Sequence, residues 1–151
     1  SQCLYGGCPV RYDGKSKAEN DERFLRWKAE GRLIPVCPEV FGGLTVPRSD
    51  AQRRQHKVVT RQGVDVTEAY MKGAREAVRL ARAYNVICAL MKEKSPSCGS
   101  NMIYDGSFSG KTVKGEGVTA ELLRKSGFRV FSENQINDVQ SLIDEEEGAI
   151  R

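Results

Sequence analysis

The chain has 151 residues, 39% of them hydrophobic and 29% charged, with a formal net charge of +4. That length buries one core without disulfide staples, so a single domain over 1–151 is expected, and the balance is ordinary for a soluble globular protein. With no apolar run long enough to span a bilayer and no secretory signal pattern, the expected location is the cytoplasm, where five cysteines read as ligand or catalytic thiols.

Residues 9–20 are polar, with Asp13-Gly14 as a turn signal. Asn20 stands where it can cap a helix over 21–30, with Phe24, Leu25 and Lys28 on one face and Gly31 at its stop. Leu33-Ile34-Pro35-Val36 then reads as a short strand that delivers Cys37, at a sheet edge or strand end because Pro35 has no N–H to donate. Residues 41–62 contain Gly42-Gly43, Pro47 and the basic Arg48, Arg53, Arg54, Lys57 and Arg61. They read as a long functional loop with a short strand at 58–60.

Asp65 and Glu68 have capping-box spacing before the clearest helix, whose apolar stripe is Tyr70, Ala74, Ala77, Val78 and Ala81 and whose stop is Asn85 in a left-handed conformation. The continuous apolar run 86–91 suits a strand covered on both faces. Residues 101–116 alternate and carry turn signals at Asp105-Gly106 and Gly115-Glu116-Gly117, which predicts a hairpin-like excursion. A helix over 118–126, a strand over 128–131 and a last helix over about 135–147 complete the chain. The expected fold class is α/β, three-layered, with a small and mostly parallel sheet and helices on both faces.

In such a sheet ligands bind beyond the carboxyl ends of the strands. Cys37 lies past one predicted strand end and Cys98 in the loop after another, in Ser95-Pro96-Ser97-Cys98-Gly99-Ser100. Cys88, inside the apolar run, reads as a small buried hydrophobe. No Cys-x-x-Cys pair occurs, which excludes a zinc ribbon and a thioredoxin-type redox pair, and His56 is the only histidine, which excludes a Ser-His-Asp triad. Thiolate-only coordination favours an iron–sulfur cluster or zinc. Glu39 follows Cys37 by two residues and can reach whatever that thiol binds, while Ser95 can orient a small ligand. Neither a dinucleotide fingerprint nor a P-loop is present; Gly115-Glu116-Gly117 could hold an anion on helix amides, although helix-entry turns commonly look this way.

Several segments together resemble the thiouracil desulfidase family. They are Cys3-Leu4-Tyr5-Gly6, Arg11-Tyr12-Asp13-Gly14, Pro35-Val36-Cys37-Pro38-Glu39-Val40 with Gly42-Gly43, Ser95-Pro96-Ser97-Cys98-Gly99, Ile103 to Gly110, Gly117-Val118-Thr119-Ala120 and Val130 to Asn134. The resemblance runs in order over nearly the whole chain. It implies an enzyme that removes sulfur from thiolated pyrimidine bases or nucleosides by means of a 4Fe-4S cluster, with Cys3, Cys37 and Cys98 as ligands and the fourth iron free of protein. Glu39 and Ser95 fall at the positions implied to act on substrate.

On this reading the open iron is a Lewis acid for the exocyclic sulfur, Glu39 activates water or moves protons, and Ser95 holds the ring. The basic 48–61 stretch is the candidate for contact with a tRNA, against the plainer reading of a solvated loop. Two departures stand out: the interval before Arg11 is one residue longer than usual and contains Cys8, read as a neighbour of the cluster and not its ligand, and the strand expected before Cys3 is missing or only two residues long. A non-catalytic iron–sulfur or zinc binding module and a thiol-based sulfur carrier remain the alternatives.

Overall fold

A computed structural model describes residues 1–7, 10–15 and 17–150, the side chains of 149 and 150 excepted. Cys8 therefore lies outside the described residues. The elements run α1 (Gln2–Tyr5), α2 (Glu22–Ala29), α3 (Pro38–Phe41), β1 (Ala51–Arg54), β2 (Lys57–Thr60), α4 (Thr67–Ala83), β3 (Cys88–Met91), β4 (Met102–Tyr104), β5 (Thr112–Lys114), α5 (Val118–Lys125), β6 (Arg129–Ser132), a 3-10 turn (Glu133–Gln135) and α6 (Ile136–Ile150). The mixed α/β class expected from sequence holds. Its strands are divided among small ladders: β3 pairs with β6 in parallel, while β1–β2 and β4–β5 are antiparallel hairpins.

The parallel pair is the centre. Cys88 stands opposite Arg129 and Met91 opposite Ser132, so both strands end at the same edge. The helix α5 forms the crossover region with the β4–β5 excursion before it, as the alternation of 101–116 predicts. The stripe of α4 is as expected: Tyr70, Ala74, Ala77, Val78 and Ala81 are buried, together with Gly73. Asn85 closes it with φ 54°. Its entry differs from a capping box, since Asp65 Oδ1 accepts from the Thr67 N–H at 2.9 Å and Val66 is the cap residue.

Three apolar clusters hold the elements together. Phe24 and Trp27 of α2 meet Ile136 and Val139 of α6 with Leu4. Val58 and Ala51 of the first hairpin meet Tyr70 and Ala74 of α4 with Val118. Val78 and Ala81 of α4 meet Met91, Cys98 and Leu123.

Four expectations need correction. Residues 32–37 are extended but not a strand; the bond from Gln2 N–H to the Val36 carbonyl (2.8 Å) is their link to α1, and among the described residues no ladder forms beside them. Pro35 cannot donate, which removes one rung from any such ladder. Residues 51–60 are a hairpin instead of a loop, with Gln55 at φ 55° in its turn. In α2 the cap is Asp21, whose carboxylate accepts from the Arg23 N–H at 2.9 Å, and Leu25 is 46% exposed because Trp27 takes the inner face.

The Gly115-Glu116-Gly117 entry to α5 is not an anion site either. Its amides are spent on the Cys98 loop: Gly117 N–H bonds the Gly99 carbonyl (2.7 Å), Val118 N–H that of Pro96 (2.9 Å) and Thr119 N–H that of Ser97 (2.8 Å).

Candidate functional site

A cavity of about 400 Å³ opens beyond the carboxyl end of β3, and Cys3, Cys37, Cys98, Glu39 and Ser95 all line it. Each arrives on a different element. Cys3 sits in α1, Cys37 is the residue from which α3 starts, and Cys98 lies in the loop after β3. Pro38 at the first turn of α3 suits a helix start, where an N–H would have no partner.

α3 is placed by backbone contact with α4. A Cβ added at Gly73 would stand 1.8 Å from the Pro38 carbonyl oxygen, and one at Gly42 would stand 2.0 Å from that of Ala69. Only glycine lets two helices approach this closely. The consequence is that Glu39, on α3, is held against Tyr70, on α4.

The Cys98 loop is fixed from within and from below. Ser95 Oγ accepts from the N–H groups of Ser97 (3.1 Å) and Cys98 (3.0 Å). Ser97 and Thr119 share a buried hydroxyl bond at 2.8 Å. Glu93, 8% exposed, collects the amides of Ser100 (3.0 Å), Asn101 (3.0 Å) and Met102 (3.1 Å) on one oxygen and the Asn101 side-chain amide (2.9 Å) on the other. Burial works to raise the Glu93 carboxyl, yet the amides of Asn101 and its neighbours outweigh it and hold the group below the usual carboxylate range.

Around Glu39 the structure assembles groups that sequence reasoning missed. Arg48, whose side chain is 8% exposed, donates to Glu39 Oε2 from Nε at 3.0 Å and from Nη2. The same guanidinium bonds the carbonyls of Val10 (3.0 Å) and Thr45 (3.1 Å), tying the 10–15 turn and the α3 exit to one point. Tyr70 was legible only as a stripe residue; its ring is 3% exposed, and burial followed by the Glu39 carboxylate beside it pushes its phenol well above the usual value. The signal that could have found Arg48 is its place after Gly42-Gly43 and Pro47, a chain reversal that returns the residue to α3.

Three more arginines of the basic stretch also find partners within the protein. Arg53 pairs with Glu121 at 2.5 Å, Arg54 donates to the Gly106 carbonyl at 2.6 Å, and Arg61 pairs with Asp50 at 2.8 Å. These three arginines meet internal acceptors, which leaves Lys57, exposed on β2, as the residue of the stretch outside that set, and the basic face expected for tRNA contact is not supported. His56 is exposed in the hairpin turn and is not among the residues that line the cavity.

The donor set fits an iron–sulfur cluster. Among the described residues no group of three His, Cys, Asp or Glu converges on a point as one metal ion requires, yet three soft thiols surround one cavity. Burial raises all three: the thiol of Cys98 is pushed up to about 12, Cys3 is raised further by Cys37, and Cys37 is raised by burial against the opposing amide of Val40. A bound metal replaces those protons and neutralises crowded thiolates. Cys88 does not line this cavity; like Cys3 it packs on the Phe24–Trp27 cluster, and burial pushes its thiol up to about 11.

An α/β fold that gathers three thiols, a carboxylate and a guanidinium at one strand end has the groups that an enzyme with a thiolate-bound cofactor needs. The comparisons agree. The 2-thiouracil desulfurase family matches residues 1–135, and the chain belongs to it. A protein of Bacillus subtilis (strain 168) described as uncharacterized protein YbbK is 42% identical over 149 residues, covering 92% of this chain and 97% of that one. A solved structure, the [4Fe-4S]-dependent thiouracil desulfidase TudS, is 46% identical with a TM-score of 0.93 and covers 95% of both chains.

Proposed function

We propose that this chain, acting as one unit over 1–151, replaces the exocyclic sulfur of thiolated pyrimidines with oxygen from water, without net redox change. The substrates are 2-thiouracil, 4-thiouracil or 4-thiouridine, and the products are the oxygen-bearing pyrimidine and hydrogen sulfide. The observation that carries this reading is the meeting of Cys3, Cys37, Cys98, Glu39 and Ser95 on one cavity in a chain of the desulfurase family. Cytoplasmic location is part of the proposal; among the described residues no helix is long and apolar enough to cross a membrane.

Cys3, Cys37 and Cys98 are assigned to hold a 4Fe-4S cluster. When bound, it supplies one iron without a protein ligand, a Lewis acid with affinity for sulfur. Glu39 takes one proton from water as the water oxygen bonds to the ring carbon and the C=S π pair moves onto sulfur; it then returns that proton to the sulfur, which leaves as hydrosulfide, while the proton remaining on the new hydroxyl passes to solvent as the C=O bond forms. Arg48 holds the carboxylate in one rotamer, so the base does not have to be ordered during reaction. Both amides accepted by Ser95 leave its hydroxyl proton to donate to an exocyclic oxygen or a ring nitrogen of the base.

The test is anaerobic reconstitution followed by incubation with 2-thiouracil in ¹⁸O-water. Stoichiometric sulfide and ¹⁸O-labelled uracil are expected. Sulfide without the label overturns the hydrolytic step, and no sulfide from a protein with full iron content turns the assignment to a binding module.

A further inference from the structure

We propose that Phe108 is the platform on which the pyrimidine ring of the substrate stacks, and so a binding residue for planar heterocyclic bases. The inference rests on the desulfidase reading and adds the part of the site that recognises the ring and not its sulfur.

Four observations carry it. Phe108 lines the same cavity as Glu39 and Ser95. Its backbone has φ 58°, a left-handed conformation that a bulky residue adopts only at an energetic cost, and such residues concentrate where a site needs them. The surrounding loop is built to hold that conformation. Gln52, 5% exposed on β1, accepts the N–H of Gly106 (3.0 Å) and of Phe108 (3.2 Å) on its side-chain oxygen, while Asp105 accepts the N–H of Ser107 at 2.9 Å.

Last, the ring is only half-buried and belongs to none of the three apolar clusters, so core packing does not account for it. Instead the guanidinium of Arg61 lies 5.0 Å from its centroid and that of Arg54 5.9 Å away. A half-buried phenylalanine at a cavity wall, flanked by cations of which Arg61 lines the same cavity, and set on a braced but costly backbone, is placed to meet a bound ring. A flat, uncharged base matches the phenyl face in shape and in its preference for stacking.

The test compares the wild-type holoenzyme with Phe108→Ala, Phe108→Trp and Phe108→Gly, each checked for iron content. With 2-thiouracil, Phe108→Ala should raise KM by about 5- to 150-fold, the range that base stacking on an aromatic side chain supports, with kcat within about twofold. Phe108→Trp should restore KM. Calorimetry gives a readout apart from turnover: the wild type should bind uracil more tightly than dihydrouracil, whose ring is not planar, and Phe108→Ala should lose that preference.

Phe108→Gly should melt no lower than wild type, because glycine accepts the positive φ without strain, while losing the same affinity. An unchanged KM and unchanged uracil affinity in Phe108→Ala overturns the proposal, as does a wild type that binds both ring types equally. If the wild type binds uracil but releases no sulfide, the desulfidase reading fails and the stacking platform stands.

Discussion

Two cavities of about 400 Å³ lie along the same strand, one beside its body and one beyond its carboxyl end, and they differ in chemistry. The body of β3, from Cys88 to Met91, lines one together with Phe24, Trp27, Leu80 and Ile143; that cavity holds a single thiol and, among its described lining residues, no carboxylate. The residues that follow the strand, Lys92 to Ser95 and Cys98, line the other with Cys3, Cys37, Glu39 and Arg48. Volume alone therefore does not mark a site here. What separates the two is position along a parallel strand: its half-buried body packs against apolar side chains of α2, α4 and α6, whereas its carboxyl end opens into loops that can carry thiols and charges.

The comparison can be broken most severely at the thiols. Replacing Cys3, Cys37 or Cys98 with alanine should each abolish iron binding and sulfide release. Iron and sulfide quantification of anaerobically prepared variants checks this, and a variant with normal iron removes that cysteine from the ligand set. Next, Glu39→Gln should keep iron and visible absorption while kcat falls by about 10²- to 10⁴-fold, the range for loss of a positioned general base. Retained turnover would refute the role given to that carboxylate.

A smaller effect is expected from acid. Glu93 has a carboxyl lowered in the folded state, so its contribution is fully present above the ordinary carboxylate pKa of about 4.3 and disappears as pH falls through its lower folded value. Thermal melting of the wild type should decline across that window, and Glu93→Gln should be less stable at neutral pH with a flatter decline. Equal slopes in the two proteins would show that Glu93 is not the group responsible. The smallest effect belongs to the opposite cavity. Cys88→Ala should keep iron content and turnover and lose about 1 kcal/mol in denaturant unfolding, a modest cavity cost.

Periodicity was readable wherever one face is uniformly apolar. The stripe of α4 and the alternation of 102–114 carried their own signals, and Asn85 announced the end of its helix. Reading failed where charge concealed burial. Ala51–Arg54 is a strand although two of its four residues are arginines, because Ala51 and Gln52 are both buried, on opposite faces, while Arg53 and Arg54 find acceptors on neighbouring segments. Arg48 failed for the same reason: its partner Glu39 is nine residues away, and only the folded turn shows that the two meet. The five residues singled out for the site do share a cavity, but Tyr70 and Phe108 could not be placed with them, since an aromatic in a helical stripe and one in a glycine-rich turn give no hint of which surface they line.

The paired close approaches at Gly42 and Gly73 constrain how this protein can change over time. Each glycine faces a carbonyl oxygen of the other helix, so a methyl group at either position pries both contacts open together. Drift at one cannot be absorbed by its counterpart, because neither has a side chain to shrink. Sequence variation in the segment bearing Cys37 and Glu39 must then be sought on its outward side, at Val40 and Phe41, which are 39% and 46% exposed. A library randomised there should yield functional variants far more often than one randomised at the two glycines.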